Sequence, residues 1–140
     1  DLLISSALEA LCAELAAKKH TTQDINELKQ YQETMKPLLL KNKDKKFYFQ
    51  YNREVHYRIL QMAKSNRIAE RAMKLWDLHD FYLLNLTEYF NFNTIVGVEF
   101  HDEIIAAIEE RDPEKAKCKM EEHFAAYIEK LEDSLPDALK

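Results

Sequence analysis

The sequence predicts an all-helical fold, and three observations carry that prediction. A single glycine, Gly97, and three prolines in 140 residues leave almost no material for hairpin turns. Apolar residues recur at three- and four-residue spacing through most of the chain. Thr, Ser and Asp residues interrupt that pattern where helix N-caps belong. With 46% hydrophobic and 32% charged residues, the chain reads as one domain long enough to bury a core.

The first helix is expected from Leu2 to Lys19, where Leu3, Ala7, Leu8, Leu11, Leu15 and Ala16 keep helical spacing. Two lysines and His20 close it at the negative end of the helix dipole, and His20 reads as a charge serving that end. Thr21-Thr22-Gln23-Asp24 caps a second helix through Ile25, Leu28, Tyr31 or Gln32, Met35 and Leu39. Pro37 is expected to kink or end it. Lys41-Asn42-Lys43-Asp44 is a polar joint with solvated lysines.

A third helix, from about Lys45 to Lys64, aligns Tyr48, Asn52, His56, Ile59 or Leu60, and Ala63. Asn52 and His56 are four apart, so they point the same way from adjacent turns. Ser65-Asn66 breaks the pattern and caps a fourth helix, from Arg67 to about Tyr89, carrying Ile68, Ala72, Leu75, Trp76, Tyr82, Leu83 and Leu86. Asn91 to Gly97 is expected to be a loop. The next helix, V-E-F-H-D-E-I-I-A-A-I-E-E-R, sets His101 on an apolar face with Val98, Ile105 and Ile108. Asp112-Pro113-Glu114 supplies an N-cap, a proline at the first helical position and a carboxylate in the first turn. The last helix places His123 in one row with Ala116, Met120, Tyr127 and Leu131. The short connection folds these two helices back antiparallel, so their imidazoles can meet across one seam. Residues 1–132 form the domain, and 133–140 read as a frayed tail.

Composition excludes several classes. Net charge is −5 with both signs interspersed, so no basic face is available to grip a phosphate backbone. No apolar run approaches the roughly 18 to 20 residues of a membrane span, and no signal peptide is visible. Cys12 and Cys118 lie far apart without a CxxC pattern, which suggests two free, buried thiols in a reducing cytoplasm. The chain opens on Asp1 rather than methionine, and is expected to be an excised or processed piece.

The constellation that carries chemistry is Asn52, His56, His101 and His123, all on inward faces. One histidine on an apolar face is ordinarily a hydrogen-bonded core residue. Three on seams that can converge point towards a metal instead. Imidazole nitrogens suit zinc, nickel, iron or copper, whereas Asn52 offers only a neutral amide oxygen. His79, among Leu75, Trp76, Tyr82 and Leu83, reads either as a pocket residue or as a core histidine bonded to Tyr82. Three histidines with an open position would also describe a hydrolytic zinc site, which needs a general base. Glu54, Glu99 and Glu122 flank the histidines but point away by helical phase. There is no HExxH, and no histidine has glutamate three positions before it. The inward set therefore suits binding rather than catalysis; a structural dimer module with satisfied core histidines is the remaining alternative.

These residues bring a family into view. Leu8-Glu9 through Leu15-Ala16-Ala17, with Cys12 at the inner alanine, is similar to an L-E-x-x-A-x-x-L-A-A first helix. Thr21 to Ile25 matches a threonine-capped second helix. Asn52-Arg53-Glu54-Val55-His56 followed by Ser65-Asn66 resembles D-x-x-F-H with a later small residue and asparagine. Phe100-His101, Ile104, Ala107-Ile108, Asp112, Ala116, Met120 and His123 follow E-H-x-x-I-x-x-A-I, an aspartate-started turn, and A-x-x-x-M-x-x-H. Over about residues 2 to 131 the chain resembles the FCD domain, the C-terminal effector-binding domain of FadR-type GntR transcription regulators.

The resemblance implies an antiparallel bundle of six to seven helices with a central ligand and metal cavity, and a homodimer. It implies no enzyme: an aspartate and three histidines hold a divalent metal, zinc or nickel here, and a small organic-acid effector coordinates it through a carboxylate. Carried over by position, Asn52 stands where the aspartate would be, with His56, His101 and His123 as the histidines. Tyr48, Asn66, His79 and Tyr127 are the expected effector contacts. The N-terminal winged-helix DNA-binding domain of such regulators is absent from this sequence, so DNA contact is expected only through it. Three departures stand out: Asn52 removes a negative charge, Val55 replaces phenylalanine, and Ser5 replaces an arginine.

Overall fold

The computed structural model describes the backbone of residues 2–85 and 94–134, and the side chains of residues 2–77 and 95–132. Six helices are described: α1 (Leu2–Lys19), α2 (Thr22–Lys41), α3 (Lys45–Met62), α4 (Asn66–Asn85), α5 (Thr94–Glu109) and α6 (Pro113–Ser134). Among the described residues there is no strand. The fold class therefore agrees with the expectation. The proposed extension of the fourth helix to Tyr89, the side chain of His79 and the tail beyond Ser134 lie outside the described residues.

Helix α1 has the most packing partners among the described helices. It packs against α3, α4, α5 and α6, most extensively against α6, while α2 packs on α3 and α5. Its inward side chains are small: Ser5, Ala10, Cys12, Ala13, Ala16 and Ala17 are buried, together with Glu9. Three large apolar residues point outwards, with Leu3 72% and Ile4 52% exposed and Leu11 also on the surface. The expected row is therefore split: Ala16 is buried and Leu8 and Leu15 are half-buried against the core, whereas Leu3, Ala7 and Leu11 are exposed. Four neighbours can approach one helix closely only over alanine-sized side chains, and a helix apolar all round gives periodicity no side to choose.

The caps form where the residues call for them. Thr21 Oγ1 accepts from Asp24 N–H at 3.1 Å, and Asp24 Oδ2 accepts from Thr21 N–H at 2.9 Å, a reciprocal capping box. Asp112 Oδ1 accepts from Lys115 N–H at 3.1 Å at the start of α6, ahead of Pro113. Asp44 caps α3 through Lys46 N–H, so the polar joint also begins a helix. Helix α2 does not end at Pro37 but continues to Lys41. Glu33, whose carbonyl loses its helical donor there, is exposed and can turn to water.

With one glycine in the chain, two turns place larger residues in the left-handed region: Lys64 at φ 55° and Arg111 at φ 56°. Each is tied down by its side chain. Lys64 Nζ donates to Asp24 Oδ2 at 2.8 Å, and Arg111 Nη2 donates to the His20 carbonyl at 2.9 Å. His20 is buried rather than solvated, and its Nδ1–H donates to the Ala16 carbonyl at 2.6 Å. It serves the end of α1 by hydrogen bonding from within the fold.

Gly97 itself lies inside α5, not in a loop. A Cβ there would overlap the Tyr48 hydroxyl oxygen and come 2.9 Å from its Cζ. Close approach of α5 to α3, rather than a turn, is what requires glycine. Leu28, Leu39, Val55, Ile59, Ile104, Ile108 and Met120 fill the surrounding core. Cys12 is buried as expected, but Cys118 is exposed on α6, because its position follows the outward row of that helix.

Candidate metal centre

Helices α3, α5 and α6 bring His56, His101 and His123 to one point, with their ligating atoms all within 4.8 Å of one another. His56 Nε2 lies 3.2 Å from His101 Nε2 and 3.3 Å from His123 Nε2. Ring centroids are 5.0 to 5.2 Å apart in all three pairs. His101 is fully buried, His56 is buried and His123 half-buried. Phe100, which stands in the position of a glutamate in the resembled pattern, packs its ring 5.3 Å from that of His123.

The hydrogen-bond accounting around the rings fixes their tautomers. Gln32 Nε2 donates to the Val98 carbonyl at 3.2 Å and to Asp102 Oδ1 at 3.1 Å, so its Oε1 faces the other way as an acceptor. The Tyr51 hydroxyl donates to that Oε1 at 2.6 Å. Burial pushes the Tyr51 pKa up, so the phenol keeps its proton. Its oxygen, 2.7 Å from His101 Nδ1, must then accept from an Nδ1–H. On the opposite side, Glu9 Oε1 lies 2.5 Å from His56 Nδ1 and accepts its proton, while Glu9 Oε2 accepts from Trp76 Nε1 at 3.2 Å. With Nδ1 carrying the proton of each neutral ring, both Nε2 atoms present lone pairs where they face each other.

Two bare nitrogen lone pairs 3.2 Å apart repel, and a cation between them converts that repulsion into binding. Nitrogens about 2.1 Å from a metal stand about 3.0 to 3.4 Å apart for bond angles between a right angle and tetrahedral. The observed spacings fall in that range, so the donor set fits a divalent transition metal. Protons compete poorly for the site. Burial, and then His123 and His56, hold the His101 pKa well below its ordinary value. Burial, then His56, pushes His123 down to about 3. Cys12 is not among the converging groups, and burial and then the charge of Glu9 push its thiol up to about 12.

The remaining expected residues are distributed differently. Asn52 is half-buried one turn before His56 on α3. Tyr48 is buried a further turn back, its ring 5.5 Å from that of Tyr51. Tyr127 is half-buried one turn beyond His123, and Asn66 is exposed as the first residue of α4. The flanking glutamates do turn away: Glu54 pairs with Arg58, Glu122 pairs with Lys119, and Glu99 is exposed.

The sequence reading did not mark Glu9, Tyr51 and Gln32 as residues of the centre. The signal for Glu9 was a carboxylate in phase with Cys12, Ala13 and Ala16 on an apolar helix. Gln32 was left level with Tyr31, and burial decides between them, since Gln32 is 2% exposed and Tyr31 only half-buried.

The FCD domain family matches residues 3–126. The solved structure of E. coli McbR/YncC superposes with a TM-score of 0.75 at 23% identity, over 92% of this chain and 61% of that one, a likeness of fold. This chain thus spans 61% of the length of that structure. Among curated proteins, none matches the sequence significantly. With the family's match covering the histidine centre and nearly all of the bundle, the chain belongs to the FCD domain family and is a regulatory domain rather than an enzyme.

Proposed function

We propose that this chain is the metabolite-sensing domain of a GntR/FadR-type transcription regulator. It holds zinc or nickel on His56, His101 and His123, with the Asn52 amide oxygen as a fourth donor. The observation that carries this reading is the convergence of the three Nε2 atoms, two of them fixed as lone-pair donors by Glu9 and by the Tyr51–Gln32 relay. Three neutral imidazoles and an amide leave the charge of a dication uncancelled within its ligand set. That favours a small organic acid whose carboxylate completes the coordination. Tyr48, His79 and Tyr127 are its candidate contacts, with Asn66 the outlying one.

A metal held by α3, α5 and α6 ties together helices that are distant in sequence, and an effector bound to it favours one bundle arrangement over another. A homodimer passes that bias to the DNA-binding domains of the whole protein. The outward Leu3, Ile4 and Leu11 of α1 supply an apolar surface suited to a second copy.

Elemental analysis of the purified chain, with thermal melting before and after chelation, tests this function. About one transition metal per chain, and a lower Tm on its removal, is the expected result. Small organic acids should then raise the Tm of the metal-loaded form further. No metal, and no response to added zinc or nickel, would overturn the reading in favour of a metal-free module.

A further inference from the structure

Glu9 is the one acidic side chain fully buried among the described residues, 1% exposed, and it belongs to none of the helices that carry the histidines. With a metal on His56 Nε2 that ring is neutral, and the two Glu9 oxygens then accept only from neutral donors, His56 Nδ1–H and Trp76 Nε1–H. Those bonds give each oxygen one donor but do not cancel its charge, and an uncompensated buried carboxylate is strongly unfavourable. At the far end of the same imidazole, Nε2 faces the point where the three histidines meet. The proposed donors at that point have the opposite deficit, since three imidazoles and the Asn52 amide bring no negative charge to a dication.

We infer that Glu9 supplies, through the His56 ring, the negative charge that Asn52 does not. It is a positioning residue: it fixes the His56 tautomer, raises the basicity of Nε2 and offsets the metal's charge from one ring away without touching it. The inference rests on the three-histidine metal site proposed above. It makes α1 a participant in metal binding although α1 contributes no ligand.

The test is calorimetric titration of the chain with zinc. Glu9→Gln is nearly isosteric and keeps an oxygen for His56 while removing the charge and, because its amide nitrogen only donates, the bond from Trp76. It should weaken zinc binding about 10- to 100-fold at unchanged stoichiometry. Asn52→Asp, added to Glu9→Gln, should recover most of that loss by restoring the charge at the neighbouring position. Unchanged affinity in Glu9→Gln, or no recovery in the double variant, overturns the proposal while leaving the metal site standing. Failure of the unmodified chain to bind zinc overturns both. A second measurement needs no variant: in the zinc-loaded chain, nitrogen-15 NMR should show a slowly exchanging proton on His56 Nδ1 and zinc on Nε2. Zinc on Nδ1, or no such proton, contradicts the proposal.

Discussion

The Tyr51 hydroxyl lies 2.7 Å from His101 Nδ1 and gives its own proton to Gln32, so a residue of α2 dictates which nitrogen of a histidine on α5 is free. Tyr51→Phe keeps the ring and removes both bonds. The buried His101 N–H and the Gln32 oxygen are then unpaired, which should lower stability by about 1 to 3 kcal/mol. Metal affinity should fall about tenfold or more, because His101 is no longer held in the binding tautomer. Chemical denaturation and metal titration of the same variant check both effects.

The histidines differ in what their removal does to the fold. His123 is half-buried beside Phe100, so His123→Ala should sharply reduce metal content while lowering the stability of the metal-free chain by about 1 kcal/mol. His101 is fully buried and bonded to Tyr51, so His101→Ala should lose metal equally and lower stability by about 2 to 4 kcal/mol. Urea midpoints in chelator separate the two. Equal midpoints would contradict the difference in burial.

Acid should destabilise the metal-free chain before ordinary carboxylate titration begins. Burial keeps His101 and His123 neutral in the fold, His123 down to about 3, while in the unfolded chain both take up protons near pH 6.5. The unfolded state therefore binds more protons below that pH, and stability falls as pH drops. The limiting slope is about 1.4 kcal/mol per pH unit for each histidine. Tm measured in chelator should be steady from pH 8 to about 7 and decline from there to pH 5. His123→Gln should make the decline shallower by about one proton's share, and a flat profile in the unmodified chain would contradict the argument.

Gly97→Ala sets helix propensity against packing. Alanine is favoured in a helix by about 1 kcal/mol, yet here its methyl group would overlap the Tyr48 hydroxyl. The overlap should win, for a net loss of about 1 to 3 kcal/mol, with partial recovery on adding Tyr48→Phe. Thermal melting decides the sign, and a gain in Tm would show that α5 has room to move outwards. His101 is one turn further along the same face, so weaker metal binding should accompany the loss.

The legible parts of this protein are those governed by local rules. Thr21 with Asp24, Asp112 with Pro113, and the rows holding His56, His101 and His123 are set by spacing and capping chemistry that operate within a few residues. The parts that were misread depend on neighbours distant in sequence. Which side of α1 faces inwards is decided by how closely four other helices must approach it. Glu9 becomes part of the centre only because His56, 47 residues later, returns to it. Gly97 looked like a loop residue because its partner, Tyr48, belongs to another helix.

Helix α1 presents Glu9 to the histidine centre on one side and Leu3, Ile4 and Leu11 to the exterior on the other. A helix with its side chains is only about 10 to 12 Å across. The interval between the innermost point of this bundle and its outer wall is therefore a single helix's width, spanned by one piece of backbone. What binds at the histidine centre and what covers Leu3, Ile4 and Leu11 would therefore act on opposite sides of one helix.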